Sequence, residues 1–217
     1  MNLEQKLSLI KKNVLEIVTP EELRALLEQN SRPTAYVGFE PSGMVHIGQG
    51  VICANKIKAL TDAGFQVTVL LADWHAFIND KFQGSMENIK TCGKYMEDCF
   101  LALGVDREKT NFIYASELVR SEDYWEKVIR IAKCFSMARI KRAMTIMGRK
   151  EEDAEMDTSK LIYPAMQCAD IFQLDVDVAL GGMDQRKAHM LARSSAKYIS
   201  GSISGSDFFF LASAAIS

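Results

Sequence analysis

The sequence has no long apolar run and little excess of charge of either sign. No apolar stretch approaches the length of a membrane-spanning helix, which argues against a membrane protein. The 217 residues carry a formal net charge of −2 and the sequence pI is about 6.0. Because the whole chain is nearly neutral, any surface for nucleic acid must be a local patch. The first 18 residues are amphipathic and mixed in charge, unlike a signal peptide.

Residues that bind metals are also scarce. With three histidines and no Cys-x-x-Cys pair, the sequence argues against a structural zinc site, so we predict no metal site. Five cysteines are an odd number, which favours reduced thiols in the cytoplasm (Cys53, Cys92, Cys99, Cys134 and Cys168). No Ser/His/Asp triad, catalytic carboxylate pair or GxxxxGK[ST] loop is present, which argues against covalent catalysis by a side chain.

Strands and helices alternate along the first half of the chain, which predicts a doubly wound α/β sheet. An apolar repeat at helical spacing predicts an N-terminal helix (Leu3, Leu7, Ile10, Val14 and Ile17). Thr19-Pro20 followed by Glu22 predicts the capped start of a second helix. The next elements are predicted as strand 34–39, helix 46–62 closed by Gly64, strand 66–73, helix 85–103 and strand 111–115.

The alternation stops between about residues 117 and 150, which predicts a helical insertion. Its interleaved basic residues indicate either a solvated helix face or a surface that faces RNA (Arg139, Lys141, Arg142, Arg149 and Lys150). Beyond it we predict an exposed connection at 151–159, helix 163–174, strand 176–180 and helix 184–193. Residues 194–217 are rich in Ser and Gly and then apolar, so we expect the domain to comprise residues 1–193 and to be followed by an unstructured or aberrant tail.

The most informative segment is the turn after the first predicted strand, Tyr36–Gln49 (YVGFEPSGMVHIGQ). Pro41 and Gly43 force a turn, and a helix is predicted to begin shortly after it. Backbone amides and the helix dipole at such an edge attract phosphate, so positioning and electrostatic stabilisation are the predicted chemistry. The alternative is an ordinary strand–turn–helix unit with an incidental histidine, His46.

A second polar cluster lies on one predicted helix. Tyr163, Gln167 and Asp170 are spaced so that a phenol, a carboxamide and a carboxylate share one face of a largely apolar helix. Such a stripe either faces solvent or lines a pocket for a small polar ligand. Tyr36, on the first strand, could reach that pocket.

Two further turns belong at the same sheet edge. Gly181-Gly182 would let the backbone approach a ligand closely, and Asp184 is suited to accept hydrogen bonds from a ribose diol. His75, at the end of the predicted central strand, is interpreted either as a structural histidine or as a pocket wall. We interpret His189 as structural.

These motifs resemble those of a known family. Tyr36–Gln49 resembles the His-Ile-Gly-His signature of class I aminoacyl-tRNA synthetases, preceded by the Gly-Phe-Glu-Pro-Ser-Gly of tyrosyl-tRNA synthetases of the archaeal and eukaryotic type. Segments 70–76, 162–171 and 182–193 resemble that family's next strand and its amino-acid pocket, in the family's order. The resemblance covers about residues 1–193 and implies a Rossmann-like fold, L-tyrosine, ATP with Mg²⁺ and tRNA(Tyr) as substrates, and a homodimer formed through the insertion.

The resemblance also implies roles for individual residues. It assigns the substrate hydroxyl to Tyr36 and Asp170, and it assigns the α-amino end and the surroundings of the ring to Tyr163, Gln167, Gln185 and His75. It assigns ATP to Gly38, Ser42, His46, Gly48, Gly182 and Asp184, with His46 and Gln49 as the catalytic positions. The implied reaction joins the tyrosine carboxylate to the α-phosphorus of ATP, releases pyrophosphate, and then passes the tyrosyl group to tRNA.

The sequence departs from the family pattern at two places. Gln49 stands where the second signature histidine is usual; a carboxamide can still donate to phosphate but carries no positive charge. No Lys-Met-Ser-Lys-Ser loop or anticodon-binding domain follows Arg193, so we expect a catalytic-domain fragment with impaired activity. One alternative is a non-catalytic protein that binds tyrosine or its adenylate. Another is a tryptophanyl-tRNA synthetase, against which Tyr36 with Asp170 argues, since indole has no hydroxyl.

Overall fold

The protein is described here from a computed structural model, which covers residues 1–144, 157–199 and 209–213. Gln49, Ala143, Met144 and residues 209–213 are described by their backbone alone. The helices are α1 Leu3–Lys11, α2 Pro20–Gln29, α3 Ile47–Asp62, α4 Asp73–Ile78, α5 Met86–Ala102, α6 Ala115–Leu118, α7 Glu122–Lys133, α8 Met137–Met144, α9 Thr158–Gln173 and α10 Arg186–Ile199. The strands are β1 Val14–Ile17, β2 Thr34–Phe39, β3 Gln66–Leu71, β4 Thr110–Tyr114, β5 Val178–Gly181 and β6 Phe209–Ser213.

The strands form one six-stranded sheet in the order β1-β6-β5-β2-β3-β4. Its neighbouring strands are parallel except for β1, which pairs with β6 in the antiparallel sense. From β2 the chain proceeds to β3 and β4 on one side, whereas β5 lies on the other side of β2. The order therefore reverses beside β2, and the carboxyl ends of β2 and β5 border the crevice in which such sheets bind ligands.

Side chains alternate between the two faces of the sheet along each strand, and they pack into two hydrophobic cores, one on each face. Ala35, Val37 and Phe39 of β2 pack on the face that is covered by α1, α3 and α5. Tyr36 points to the opposite face, where α7, α9 and α10 pack. This alternation follows from the two-residue period of a strand. The predicted doubly wound, Rossmann-like α/β fold is confirmed.

The N-terminal helix prediction was wrong beyond Lys11. Asn13 has a left-handed φ of 59°, which ends the helix, and Val14–Ile17 form β1. The apolar residues Val14 and Ile17 thus belong to a strand, although their spacing also fits a helix. Thr19 precedes α2 as predicted, but its hydroxyl bonds the Glu22 carboxylate and does not cap a backbone N–H.

The predicted break after Arg193 was also wrong for the described residues. α10 continues to Ile199, so residues 194–199 extend a helix that packs on the core with Ser195 fully buried. Residues 209–213 form β6, which pairs with β5 on one side and with β1 on the other. The serines of this segment have low helix propensity, so the sequence did not indicate a helix there. Tertiary packing stabilises the end of α10 all the same, because helix propensity is a weak signal compared with burial.

The segment predicted as a helical insertion is helical where the structure describes it. α6, α7 and α8 follow one another over 115–144, and the rest of the predicted insertion, 145–150, lies outside the described residues. α9 begins at Thr158, five residues earlier than predicted, because the Asp157 side chain caps it by accepting from the Lys160 N–H. Across the described ranges, the helices are all too short or too polar to cross a membrane.

Candidate active site

A cavity of about 510 Å³ opens at the carboxyl ends of β2, β3 and β5, where the strand order reverses. Its walls come from the turn after β2, from α4, from α9 and from the segment that follows β5. Ten of the predicted site residues line this cavity: Tyr36, Gly38, Ser42, His75, Tyr163, Gln167, Asp170, Gly182, Asp184 and Gln185. The fold therefore brings together residues that are separated by up to 149 positions in the sequence.

The polar stripe of α9 faces the cavity and not solvent. Tyr163 is 5% exposed and Asp170 is 1% exposed, and both line the cavity together with Gln167. The apolar residues between them pack into the core on the same helix, which fixes the orientation of the stripe. The solvent-facing alternative is therefore excluded for this stripe, and its use as a ligand pocket stays a prediction.

The deep end of the cavity is formed by Tyr36, His75 and Asp170. Asp170 accepts a hydrogen bond of 2.9 Å from the Tyr124 hydroxyl through Oδ1. Its Oδ2 lies 3.2 Å from His75 Nε2, but the imidazole is not oriented for a hydrogen bond. Among the described residues, Asp170 Oδ2 and both ring nitrogens of His75 therefore lack hydrogen-bond partners. Buried polar atoms in this state are unusual, and they favour a polar ligand at this end.

Burial shifts the proton equilibria of this deep end. It raises the pKa of Asp170 to about 8, with a further increase from the charge of Asp73, whereas the Tyr124 hydrogen bond acts against this rise. Burial lowers the pKa of His75 to about 4, so its imidazole is neutral at pH 7. The Tyr36 pKa lies well above its usual value because of burial and the charge of Asp170. Tyr36 therefore remains a protonated donor.

A chain of carboxamides connects α9 with the segment after β5. Gln167 Nε2 donates to Gln185 Oε1 at 2.8 Å, and Gln185 Nε2 donates to Asp184 Oδ2 at 2.8 Å. The other oxygen of Asp184, Oδ1, is buried and has no hydrogen-bond partner among the described residues. Asp184 therefore presents to the cavity an oxygen that could accept a hydrogen bond, for example from a ribose hydroxyl.

Glu40 is a cavity residue for which the sequence analysis gave no role. Its Oε1 accepts a hydrogen bond of 2.6 Å from the Tyr163 hydroxyl and another from Asn79 Nδ2. The His75 ring packs edge-on against the Tyr163 ring with 4.7 Å between centroids. Glu40 and His75 thus hold Tyr163 from two sides. The sequence did offer a signal for Glu40, because a carboxylate between Phe39 and Pro41 lies at the end of a buried strand.

Two glycines allow a close approach of neighbouring side chains. A Cβ on Gly38 would lie 2.6 Å from the Tyr36 hydroxyl, so any larger residue would displace that hydroxyl. A Cβ on Gly181 would lie 2.9 Å from His189 Cε1. Gly38 is thus required for the position of Tyr36, a role that the assignment to ATP had not included.

The structure does not bring His46 and Gly48 into the cavity wall. His46 is exposed and precedes α3 as its N-cap, without a side-chain capping bond, and its carbonyl accepts the Gly50 N–H at 2.8 Å. Both lie in the chain between the lining residues Val45 and Gly50. Gln49 is in the first turn of α3, and its side chain lies outside the described atoms.

Sequence reasoning missed two further residues of the site. Tyr124 of α7 is fully buried and contacts Asp170, but a single tyrosine on an amphipathic helix gives no signal of such a contact. His189 had been interpreted as structural only, yet it lines the cavity, and burial lowers its pKa to about 3. Its position on the first turns after Gly181-Gly182 was the signal that could have found it.

The model of the family described as tRNA synthetases class I (W and Y) matches residues 28–214. The chain belongs to this family. The class I synthetase resemblance predicted from the motifs is confirmed, and the match extends beyond Arg193.

Curated relatives of this synthetase chain are named tyrosine–tRNA ligases. The protein from Sulfurisphaera tokodaii is 56% identical over 193 residues, which are 89% of this chain and 53% of that protein. The protein from Sulfolobus acidocaldarius is 54% identical over 197 residues, 91% of this chain and 54% of that protein. The chain thus spans about half the length of the curated relatives it matches.

Solved synthetase structures share the fold. The tyrosyl-tRNA synthetase from Archaeoglobus fulgidus, solved with L-tyrosine, superposes with a TM-score of 0.89 and 41% identity, covering 98% of this chain and 64% of that one. The enzyme from Aeropyrum pernix gives a TM-score of 0.88 and 45% identity, with 98% and 62% covered. Tryptophanyl-tRNA synthetase from Plasmodium falciparum gives 0.77 at 16% identity, with 97% and 59% covered, a likeness of fold alone.

Proposed function

We propose that this chain carries the part of a tyrosine–tRNA ligase that activates L-tyrosine with ATP. The observation that carries the proposal is the deep end of the cavity, where the Tyr36 hydroxyl and the Asp170 carboxyl lie at the bottom of a buried pocket. Tyr36 can donate a hydrogen bond to the substrate phenol oxygen, and Asp170 can accept one from the phenol hydroxyl. Phenylalanine would leave both groups buried without a partner, which is costly.

Other residues of the pocket suit the α-amino end of the substrate. Tyr163 and Gln167 of α9 line the cavity, and Gln185 accepts a hydrogen bond from the Gln167 side-chain amide. Glu40 adds a carboxylate beside Tyr163 that would attract an ammonium group. We propose that these residues orient the substrate carboxylate towards the α-phosphorus of ATP. A carboxylate–phosphorus bond then forms as the bond to the β-phosphate oxygen breaks, which gives tyrosyl-adenylate and pyrophosphate.

ATP would lie between the two turns at the sheet edge. Ser42 and Gly38 line one side, while Gly182 and the buried Oδ1 of Asp184 line the other and could accept from the ribose. We retain His46, Gly48 and Gln49 as phosphate ligands on the ground that they occupy the N-terminus of a 16-residue helix, whose dipole favours anions. Since His46 does not line the cavity, this role requires that the turn approach the bound phosphates.

Magnesium would accompany ATP in this proposal. Within the described ranges, no three His, Cys, Asp or Glu side chains form a cluster that could hold a metal ion. Magnesium is commonly bound through substrate phosphates with few protein ligands, and this manner of binding fits the site. The phosphates themselves would supply its main contacts.

Transfer of the tyrosyl group to tRNA(Tyr), a homodimer and a cytoplasmic location complete the proposal. Trp125, Ile129 and Met137 of α7 and α8 are exposed apolar residues that suit a dimer contact, whereas Ile140 is buried in this chain's own core. Of the other apolar residues of the insertion, Phe135 packs partly against that core, and the side chain of Met144 lies outside the described atoms.

The surface of the insertion that would face RNA stays a prediction. Of its basic residues, Arg139 stacks its guanidinium on the Phe135 ring.

The test is tyrosine-dependent exchange of labelled pyrophosphate into ATP. We expect exchange that requires L-tyrosine, and we expect Tyr36→Phe to lower its kcat/KM by about 10- to 100-fold, since the buried phenol oxygen loses its donor at a cost of about 1–3 kcal/mol. Tyr198→Phe, which alters a ring 51% exposed and outside the cavity, is the matched control and should retain parental exchange.

Two outcomes would contradict the proposal to different extents. Binding of tyrosine without exchange would replace it with the non-catalytic alternative, a protein that holds tyrosine but does not activate it. Exchange that proceeds as well with phenylalanine as with tyrosine, or as well in Tyr36→Phe as in the parent, would show that the deep end of the cavity does not recognise the substrate hydroxyl.

A further inference from the structure

Tyr124 lies outside the cavity wall, yet it contacts the carboxylate that the proposed function requires. The residue belongs to α7 of the helical insertion, whereas Asp170 belongs to α9. Its ring is fully buried, and its hydroxyl lies 2.9 Å from Asp170 Oδ1 and 3.4 Å from the Met166 carbonyl oxygen. The shorter bond to a carboxylate is the stronger of the two.

We propose that Tyr124 is a positioning residue that selects tyrosine over phenylalanine, because its hydrogen bond orients the Asp170 carboxyl and favours the ionised form that accepts the substrate hydroxyl. The Tyr124 hydroxyl occupies Oδ1, which leaves Oδ2 as the acceptor for the hydroxyl of the bound amino acid. This inference rests on the proposed function, and it adds to that function a contribution from the insertion.

The surroundings of Asp170 make this support important. The polar groups that face it are Tyr36 from β2, Asp73 and His75 from α4, Tyr124 from α7, and Tyr163 and Cys168 from its own helix. No positive charge is among these groups, because the low pKa of His75 leaves its ring neutral. The Tyr124 hydroxyl is the group whose hydrogen bond lowers the Asp170 pKa, against burial and Asp73, which raise it.

A pH profile distinguishes this role from simple packing. If ionised Asp170 is the binding form, tyrosine affinity rises as pH increases through the Asp170 pKa of about 8. Tyr124→Phe keeps the ring but removes the donor, which moves this pKa upward. The ratio of the variant's Kd to the parent's is then largest below pH 8 and smaller at pH 9, while titration of free tyrosine cancels in the ratio.

The experiment is calorimetric titration of parent and Tyr124→Phe with L-tyrosine and L-phenylalanine between pH 6.5 and pH 9. At pH 7 we expect tyrosine binding to weaken by about 10- to 100-fold, as for a lost hydrogen bond to a charged group. Phenylalanine binding should stay unchanged, and the ratio should lose its pH dependence when both proteins also carry Asp170→Asn. Tyr114→Phe, whose hydroxyl bonds the Lys90 carbonyl, is the control that should behave as the parent.

The possible failures are separable. A parent that does not bind tyrosine would overturn the proposed function and this inference together. A parent that prefers tyrosine, with a Tyr124→Phe ratio near one, would overturn the inference alone. A ratio that is constant with pH, or a loss of phenylalanine binding of similar size, would also overturn it, because both are effects of disturbed packing. Thermal unfolding of each variant confirms that folded proteins are compared.

Discussion

Replacing Asp170 with asparagine should increase the free energy of unfolding of the ligand-free protein at pH 8, although it removes a residue of the proposed site. Burial raises the pKa of Asp170 from the usual 3.8 to about 8, so the folded protein holds this proton more tightly than the unfolded chain. The stability that the proton contributes is complete below about pH 4 and is lost as pH rises towards 8. Asparagine has no proton to lose and keeps an oxygen for the Tyr124 hydroxyl.

The measurement is denaturant unfolding of both proteins at several pH values from 5 to 8. The difference in free energy should grow by about 1.4 kcal/mol per pH unit and amount to several kcal/mol in total. The pKa values of His75 and His189 are lowered by burial, so these histidines stabilise the fold as pH rises towards 6.5, but they do so in both proteins. A difference that is constant from pH 5 to pH 8 would show that Asp170 is ionised in the folded protein throughout.

An exposed carboxylate provides the control for this pH series. Asp98 pairs with Lys94 at 2.9 Å, four residues away on the surface of α5. Surface pairs of this kind contribute little, so Asp98→Asn should change the free energy of unfolding by less than about 1 kcal/mol over the whole range. The contrast between the two variants isolates the effect of burial.

Leu211→Pro should destabilise the protein by about 3 kcal/mol or more. Leu211 pairs with Ile17 of β1 and with Leu180 of β5, so β6 is an interior strand. Proline removes a ladder hydrogen bond and fits poorly inside a sheet. Equilibrium unfolding measures the loss, and Leu211→Thr, which retains the backbone N–H, should lose much less.

The contrary result would support the original interpretation of the C-terminal residues. If both Leu211 variants unfold like the parent, residues 209–213 do not belong to the cooperative fold, and the sequence-based expectation of a tail after Arg193 would be right for them. A large loss confined to the proline variant supports the strand.

The sequence predicted those parts of the fold whose pattern is local. Strand 34–39 was predicted at its observed bounds because its residues are apolar and a Pro-Ser-Gly turn ends it. The stripe of α9 was predicted because three polar residues at helical spacing contradict an otherwise apolar helix. The position of Tyr36 relative to Asp170 followed from strand and helix placement at the same sheet edge.

What the sequence could not predict depends on distant partners. Val14 and Ile17 form a strand because β6 lies beside them, and that partner is almost 200 positions away in the sequence. Tyr124 belongs to the site through one hydrogen bond across 46 positions, which no local pattern shows. The placement of His46 outside the cavity wall depends on the course of the turn, which the motif alone does not specify.

The most direct test of the account is calorimetric titration of the unmodified chain with L-tyrosine and with L-phenylalanine at pH 7.5. Tyrosyl-tRNA synthetases are themselves the known example of strong discrimination between these two amino acids. We predict saturable binding of one tyrosine per chain and binding of phenylalanine that is weaker by at least about 100-fold, as expected when a buried donor and acceptor lose their partner. Equal affinity for the two amino acids, or no binding of either, would contradict the assignment of Tyr36 and Asp170 to the substrate hydroxyl.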